Sequence, residues 1–346
     1  MDGAPLILVD PQPRTLDLIC DPPTRARLEA LGRVVVHDDG RMPDAVVDEH
    51  LPAAVAVVGQ TDLDAGRLAR AKNLHAIINV EGNFLPNVDY EACFARGIHV
   101  LNASPAFAGP VAEWALGAAI DLSRGITAAD RAMRDGIERY QLEGNRNAFT
   151  LAGSPVGIIG FGDLARALRV LLEPFGCAVK AYDPWLPDHV LRRAGVEPAP
   201  LDDVLGGSRV IFVMAGVTEE NAGFLGRREL GLVAPGSVVV LASRAAVVDF
   251  PALVEFVAAE RLRAAIDVFP VEPVAPGDPV RSVPGLLLSP HLAGATTEAF
   301  REIGRLVVAD LELLLAGLPP VACKRAERET VGRLRSRPVA PAVQRS

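Results

Sequence analysis

Short runs of β-branched and aliphatic residues recur along this 346-residue chain, and helix-forming stretches separate them. That alternation limits the fold more than any other feature. LILVD, RVVVHD, AAVAVVG, HAIINV and HVLN form a first series, and PVGIIG, CAVKAYD, RVIFVMA, SVVVLAS, RAAIDVF and GLLLS form a second. Runs of this length bounded by turn residues read as strands. Runs that are apolar throughout suit strands buried on both faces, which requires helices on both sides of a parallel sheet. An α/β fold follows. Between the two series, Pro110 to Asp135 reads as one long helix, PVAEWALGAAIDLSRGITAADRAMRD, and a helix of that length can join two domains. The last helix, TTEAFREIGRLVVADLELLLAG, ends at Gly317. The chain is long enough to bury two separate cores.

Composition narrows the function classes. The formal net charge is −8, and the one basic cluster, Lys324 to Arg337, alternates Arg with Glu before a Pro-rich end. Nucleic acid needs a concentrated basic face, so this cluster reads as a solvated tail and no nucleic-acid partner is expected. No apolar run approaches the roughly 20 residues of a membrane span, and MDGAPLILVDP lacks the basic and apolar segments of a signal peptide. Four cysteines (Cys20, Cys93, Cys177, Cys323) stand far apart, which suggests neither a disulfide framework nor a zinc site and suits a reducing cytoplasm. HDD at 37–39 is the one place where a metal could be imagined. Three adjacent side chains cannot all face one ion, so a loop is expected and no metal.

VGIIGFGDLARAL carries the strongest local signal. A strand ends at Gly160, Gly160 and Gly162 make the tight turn, Asp163 and Leu164 open a helix, and Ala165 is the third small position. Such a turn lets backbone N–H groups and a helix N-terminus approach a pyrophosphate. Alone the pattern is weak. The next strand, however, ends in AYDP, and Asp183 can accept hydrogen bonds from the adenosine ribose and repel a 2′-phosphate. NAD is therefore the expected cofactor. Asp163 is expected to turn to solvent, away from the phosphates.

Three later segments, VVVLASRAAVVD, AAIDVFPVEP and LLLSPHLAG, place ionisable residues beyond strand ends, where such a sheet holds its ligand. Reducing a 2-keto acid needs a cation for carboxylate and carbonyl, a proton donor, and a carboxylate to orient that donor. Arg244, His291 and Glu272 can fill those roles. Singly, each has a plainer reading: a surface charge, a structural histidine, a turn. The other five histidines (His37, His50, His75, His99, His189) are read as structural.

Taken in order, GFGDLAR, YDP, SRAAVVD, AAIDVFPVEP and SPHLAG closely resemble the D-isomer-specific 2-hydroxyacid dehydrogenase family, particularly its D-3-phosphoglycerate dehydrogenase-like members. NVDYEACFARGIHVLNASP and VAEWALGAAIDLSR resemble its substrate-domain and linking-helix segments. The resemblance implies two Rossmann- or flavodoxin-like domains with parallel sheets and an active site in the interdomain cleft. Residues 1–102 and 293–320 would form the substrate-binding domain and 103–292 the NAD-binding domain, with 321–346 a poorly ordered tail. It implies Arg244, Glu272 and His291 as catalytic residues, Asp267 at the nicotinamide carboxamide, and a homodimer.

The chain also departs from the family pattern. Leu241 and Ala245 stand where Asn and Gly are usual, and Gly216 replaces a Pro. In the substrate loop, VEGNFLPNVD keeps Gly82 and Asn87 but carries Glu81 and Phe84. The resemblance implies that backbone amides about Gly82 and Asn83 hold the substrate carboxylate. Glu81 and Phe84 are then expected to disfavour a second negative group, hence a small anionic substrate without a phosphate. Two other readings remain open: a dehydrogenase of a formate-, phosphite- or phosphonate-type donor, and an NAD-binding corepressor-like module.

Overall fold

A computed structural model describes residues 4–217 and 221–331. They divide into two compact units: one to Phe107 and from Ala295 onward, the other from Ala108 to Gly294. The division thus lies a few residues beyond the 102/103 and 292/293 limits expected from sequence, the first inside helix Ser104–Arg124. Among the described residues no helix is long and apolar enough to cross a membrane.

In the first unit the expected strands form: β1 (Leu6–Asp10), β2 (Arg33–Val36), β3 (Ala54–Gly59), β4 (Ala76–Asn79) and β5 (His99–Asn102). They pair in parallel in the order β5-β4-β3-β1-β2, the flavodoxin-like order. Alternate residues of β1 enter different cores. Ile7 and Val9 pack on one face with Ile303, Val307 and Leu311 of helix Thr297–Leu315, while Leu6 and Leu8 pack with Leu51, Leu68 and Cys93. With both faces covered, β1 can be apolar at every position. Aspartates start several helices: Asp21, Asp64 and Asp89 accept the amides of Thr24, Arg67 and Ala92.

The second unit contains β6 (Pro155–Ile159), β7 (Ala178–Tyr182), β8 (Glu197–Pro198), β9 (Val210–Val213), β10 (Ser237–Leu241), β11 (Leu262–Ile266) and β12 (Leu286–Leu288). All pair in parallel, in the order β12-β11-β10-β9-β6-β7-β8. The order reverses between β6 and β9, the switch point at whose carboxyl end an open α/β sheet binds its ligand. Edge strand β8 has two residues and no apolar run, so the sequence pattern did not reveal it.

Two expectations need correction. The long helix from Pro110 to Asp135 is two helices, Ser104–Arg124 and Ile126–Asp135, broken at Gly125 with φ +68°. A left-handed residue cannot continue a right-handed helix. The tail expected from residue 321 is ordered as far as Val331. Lys324–Arg325 forms β13, antiparallel to β5, and Cys323 and Ala326 are buried. The fully buried carboxylate of Asp310 fixes this return by accepting the amides of Val321, Ala322 and Cys323 at 2.7–2.8 Å. Residues 332–346 lie outside the described residues.

Candidate active site and cofactor-binding turn

β6 runs into the glycine turn as expected. Gly160 has φ +82°, and a Cβ there would sit 2.5 Å from the Cα of Ala215, so both conformation and space exclude a side chain. At Gly162, the N-cap of helix Asp163–Leu172, an added Cβ would meet nothing within 4 Å. A polyanion can reach the backbone on that open side, facing the helix N-terminus. Leu164 is partly buried and Ala165 fully so; Asp163, expected at solvent, is partly buried and engaged. Asp183 follows β7, and its carboxylate accepts the amides of Phe161 (2.7 Å), Trp185 (2.9 Å) and Leu186 (3.2 Å). It thereby ties the glycine turn to the end of the neighbouring strand. A cavity of about 320 Å³ lies beside it, lined by Tyr182, Leu186, Leu191, Pro198 and Ala199. Two carboxylates, Asp183 and Asp188, line it beside these apolar walls. Apolar surface for a base and acids for ribose hydroxyls suit the adenosine end of a dinucleotide, so the residues present fit NAD.

The same unit brings Glu272 and His291 together. His291 Nδ1 lies 2.7 Å from Glu272 Oε2, and the two side chains remain 50% and 35% exposed. His291 has φ +56°, a left-handed conformation that costs a non-glycine residue about 1–3 kcal/mol. Asp267, just after β11 and 1% exposed, holds it there. Its carbonyl accepts the His291 amide at 2.9 Å. Its carboxylate accepts Ser289 Oγ (2.5 Å), the Leu292 amide (2.8 Å) and the Ala293 amide (3.1 Å). A hydrogen bond to a charged group contributes roughly 1.5–3 kcal/mol, so the set outweighs the strain at His291. The resemblance gave Asp267 a contact with the cofactor; the fold adds the task of shaping the histidine loop.

Arg244 follows β10 and is partly buried, with Nη1 donating to the carbonyl of Ser243 at 2.7 Å. Ser243 Oγ in turn donates to the Val213 carbonyl at 3.0 Å, fastening this loop to β9. Leu241 and Ala245, the two departures beside it, are core residues. Arg244, the Glu272–His291 pair and the glycine turn thus all follow the carboxyl ends of strands of one sheet.

In the first unit, the loop after β4 differs from what its sequence suggests. Phe84 is buried and meets Tyr90 edge-on, with ring centroids 6.4 Å apart. The Tyr90 hydroxyl donates to the Leu85 carbonyl at 2.5 Å, and burial pushes its phenol up, keeping it a donor. Asn87 Nδ2 donates to the Thr61 carbonyl at 3.0 Å. Glu81 does not add a bare negative charge: Arg14 Nη1 lies 2.5 Å from its carboxylate. Both grounds for excluding a second anionic group therefore fall. Sequence reasoning missed Arg14, since nothing in its neighbourhood marks a partner 67 residues away. Asp38, in the segment considered for a metal, accepts the Leu16 amide instead.

The family model described as D-isomer specific 2-hydroxyacid dehydrogenase, NAD binding domain, matches residues 116–293. D-3-phosphoglycerate dehydrogenase of Archaeoglobus fulgidus is 32% identical over 268 residues, covering 77% of this chain and 50% of that protein. The Escherichia coli K12 protein of the same name is 32% identical over 282 residues, covering 79% and 66%. The chain therefore spans only half to about two thirds of the length of these relatives. A crystal structure of a phosphoglycerate oxidoreductase from Rhizobium etli matches with a TM-score of 0.85 at 45% identity, covering 94% of this chain and 99% of that one. With the glycine turn, Arg244 and the Glu272–His291 pair all inside or beside the matched segment, the chain belongs to the D-isomer specific 2-hydroxyacid dehydrogenase family.

Proposed function

We propose that this chain is an NAD-dependent oxidoreductase interconverting a small 2-hydroxy acid and its 2-keto acid. His291 is the acid–base, Glu272 its partner and Arg244 the anchor of carboxylate and carbonyl. The observation that carries this reading is the 2.7 Å contact between His291 Nδ1 and Glu272 Oε2. NAD, held at the Gly160–Ala165 turn and by Asp183, supplies hydride acceptor and donor when bound. Donation of Nδ1–H to Glu272 sets the tautomer, so Nε2 is the nitrogen that exchanges a proton with the substrate oxygen. Glu272 also stabilises the imidazolium when His291 is doubly protonated. Arg244 stabilises negative charge on the substrate oxygen and binds its carboxylate. Amides about Gly82 and Asn83 are the second carboxylate contact in this reading.

The phosphoglycerate-linked names of the relatives make a phosphorylated three-carbon acid the first compound to test, now that Glu81 is paired and Phe84 buried. The experiment is NADH consumption over a panel of 2-keto acids, with and without phosphate, and NAD reduction with formate and phosphite. Turnover of keto acids supports the reading. Turnover of formate or phosphite alone would transfer the site to another donor, and none at all would leave the corepressor-like reading. The four cysteines are free, which suits a cytoplasmic enzyme.

We also propose a homodimer. Helix Ile126–Asp135 buries none of its residues, and Ile126, Met133, Ile137, Tyr140 and Leu142 are 55–77% exposed. An apolar patch of this kind marks an interaction surface. Light scattering should give twice the chain mass at micromolar concentration; a monomer would refute the proposal.

A further inference from the structure

We infer that Arg14 is a positioning residue for substrate binding, acting through Glu81 on the amides of Gly82 and Asn83. The inference rests on the functional reading above for the role of those amides.

Arg14 lies in the turn that follows β1, where its amide donates to the Pro11 carbonyl at 2.9 Å. Its side chain is only 12% exposed and crosses to the loop after β4. Nη1 donates to the Val80 carbonyl (3.1 Å) and to Glu81 Oε1 (2.5 Å), and Nη2 reaches Glu81 Oε2 at 3.4 Å. The guanidinium stacks near Phe107 and Phe300, 5.6 and 5.1 Å from the ring centroids. Its Nε is buried without a hydrogen-bond partner. A surface ion pair would not leave a buried donor unmet; the guanidinium is held by the two rings and by the loop it grips.

The loop is seized on several sides at once. The Ala103 amide donates to the Glu81 carbonyl at 2.9 Å, while Arg14 takes the preceding carbonyl and the Glu81 carboxylate. Gly82 comes next and rests against Phe107, where an added Cβ would lie 3.4 Å from Cδ2. Phe107 thus lies beside both the guanidinium and Gly82. The backbone ahead of Gly82 and Asn83 is therefore set by one cation whose charge is already met by Glu81. Arg14 shapes the site and does not present a spare charge to it.

The test uses the full chain and two single variants, Arg14→Met and Glu81→Gln, with the double variant. Hydrogen exchange of the peptide spanning residues 80–86, without substrate, reads loop pinning directly. Kinetics with the best keto acid read its consequence. Loss of a charge-assisted contact that orders a binding loop should raise KM about tenfold. The change in kcat should be smaller, and NADH affinity unaltered, because preordering of a binding loop is uniform binding. Glu81→Gln should shift KM in the same direction, and the double variant should be no worse than Arg14→Met. Faster exchange with that KM pattern supports the inference. Unchanged exchange, faster exchange with unchanged KM, or a KM effect of Arg14→Met that Glu81→Gln does not share would overturn it; the last would mean direct contact with substrate. If Arg14→Met fails to fold, Glu81→Gln alone decides by the same readouts. If the wild-type protein acts on no 2-keto acid, the functional reading fails and takes the substrate-binding claim with it, while exchange still separates that failure from a failure of the pinning.

Discussion

The carbonyl of Asp267 accepts the backbone amide of His291 at 2.9 Å, while its carboxylate accepts the next two amides, so one buried residue sets the left-handed backbone of the histidine. Asp267→Asn keeps the shape but turns an NH2 toward groups that donate. It should lower stability by about 1.5–3 kcal/mol, the worth of a hydrogen bond to a charged group. It should also lower kcat more than it alters KM, because His291 loses its orientation. Thermal melting and steady-state kinetics check both, and a variant that melts and turns over like wild type would refute the role.

Cofactor choice follows from Asp183, which precedes Pro184 and Trp185 without a neighbouring cation in sequence. Its carboxylate already accepts three amides and would face a 2′-phosphate as a fixed anion. NAD should be preferred over NADP by at least about tenfold in kcat/KM, about 1.4 kcal/mol. Equal or better kinetics with NADP would contradict this.

How far the sequence spoke depended on distance along the chain. The strand runs and the glycine turn are local patterns, and each lies where its period or spacing placed it. Arg244, Glu272 and His291 are singled out by the motifs around them, and the structure places all three after strand ends. What escaped involves partners far apart. Arg14 and Glu81 meet only because β1 and β4 belong to one sheet. Asp310 orders residues 321–323 from within a helix, against a local composition that reads as solvated tail. Residues 110–135 read as one helix because helix-forming residues flank Gly125 on both sides, and only the fold shows its left-handed φ of +68°.

Acid stability offers a test remote from the site. Hydrogen bonds from the Thr24 side chain and amide, and then from Arg305, hold the Asp21 carboxyl at about 2, below its usual 3.8. A lowered folded value means that this stabilisation is present above about 3.8 and is lost as pH falls toward about 2. Wild type should therefore melt above Asp21→Asn at neutral pH, with the gap closing across that acid window. A gap that stays constant with pH would contradict the assignment.

The central claim is that His291 moves the proton. His291→Ala should lose at least about a hundredfold in kcat, the lower end for general acid–base catalysis. Glu272→Gln should lose less, and Arg244→Ala should damage both KM and kcat, since it binds ground and transition states alike. NADH affinity should hold in all three, because the Gly160–Ala165 turn is untouched. The most direct measurement is the turnover of His291→Ala at saturating keto acid, with NADH binding titrated separately. A hundredfold loss with unchanged NADH affinity is the predicted result; near-wild-type turnover would show that the proton passes through some other group.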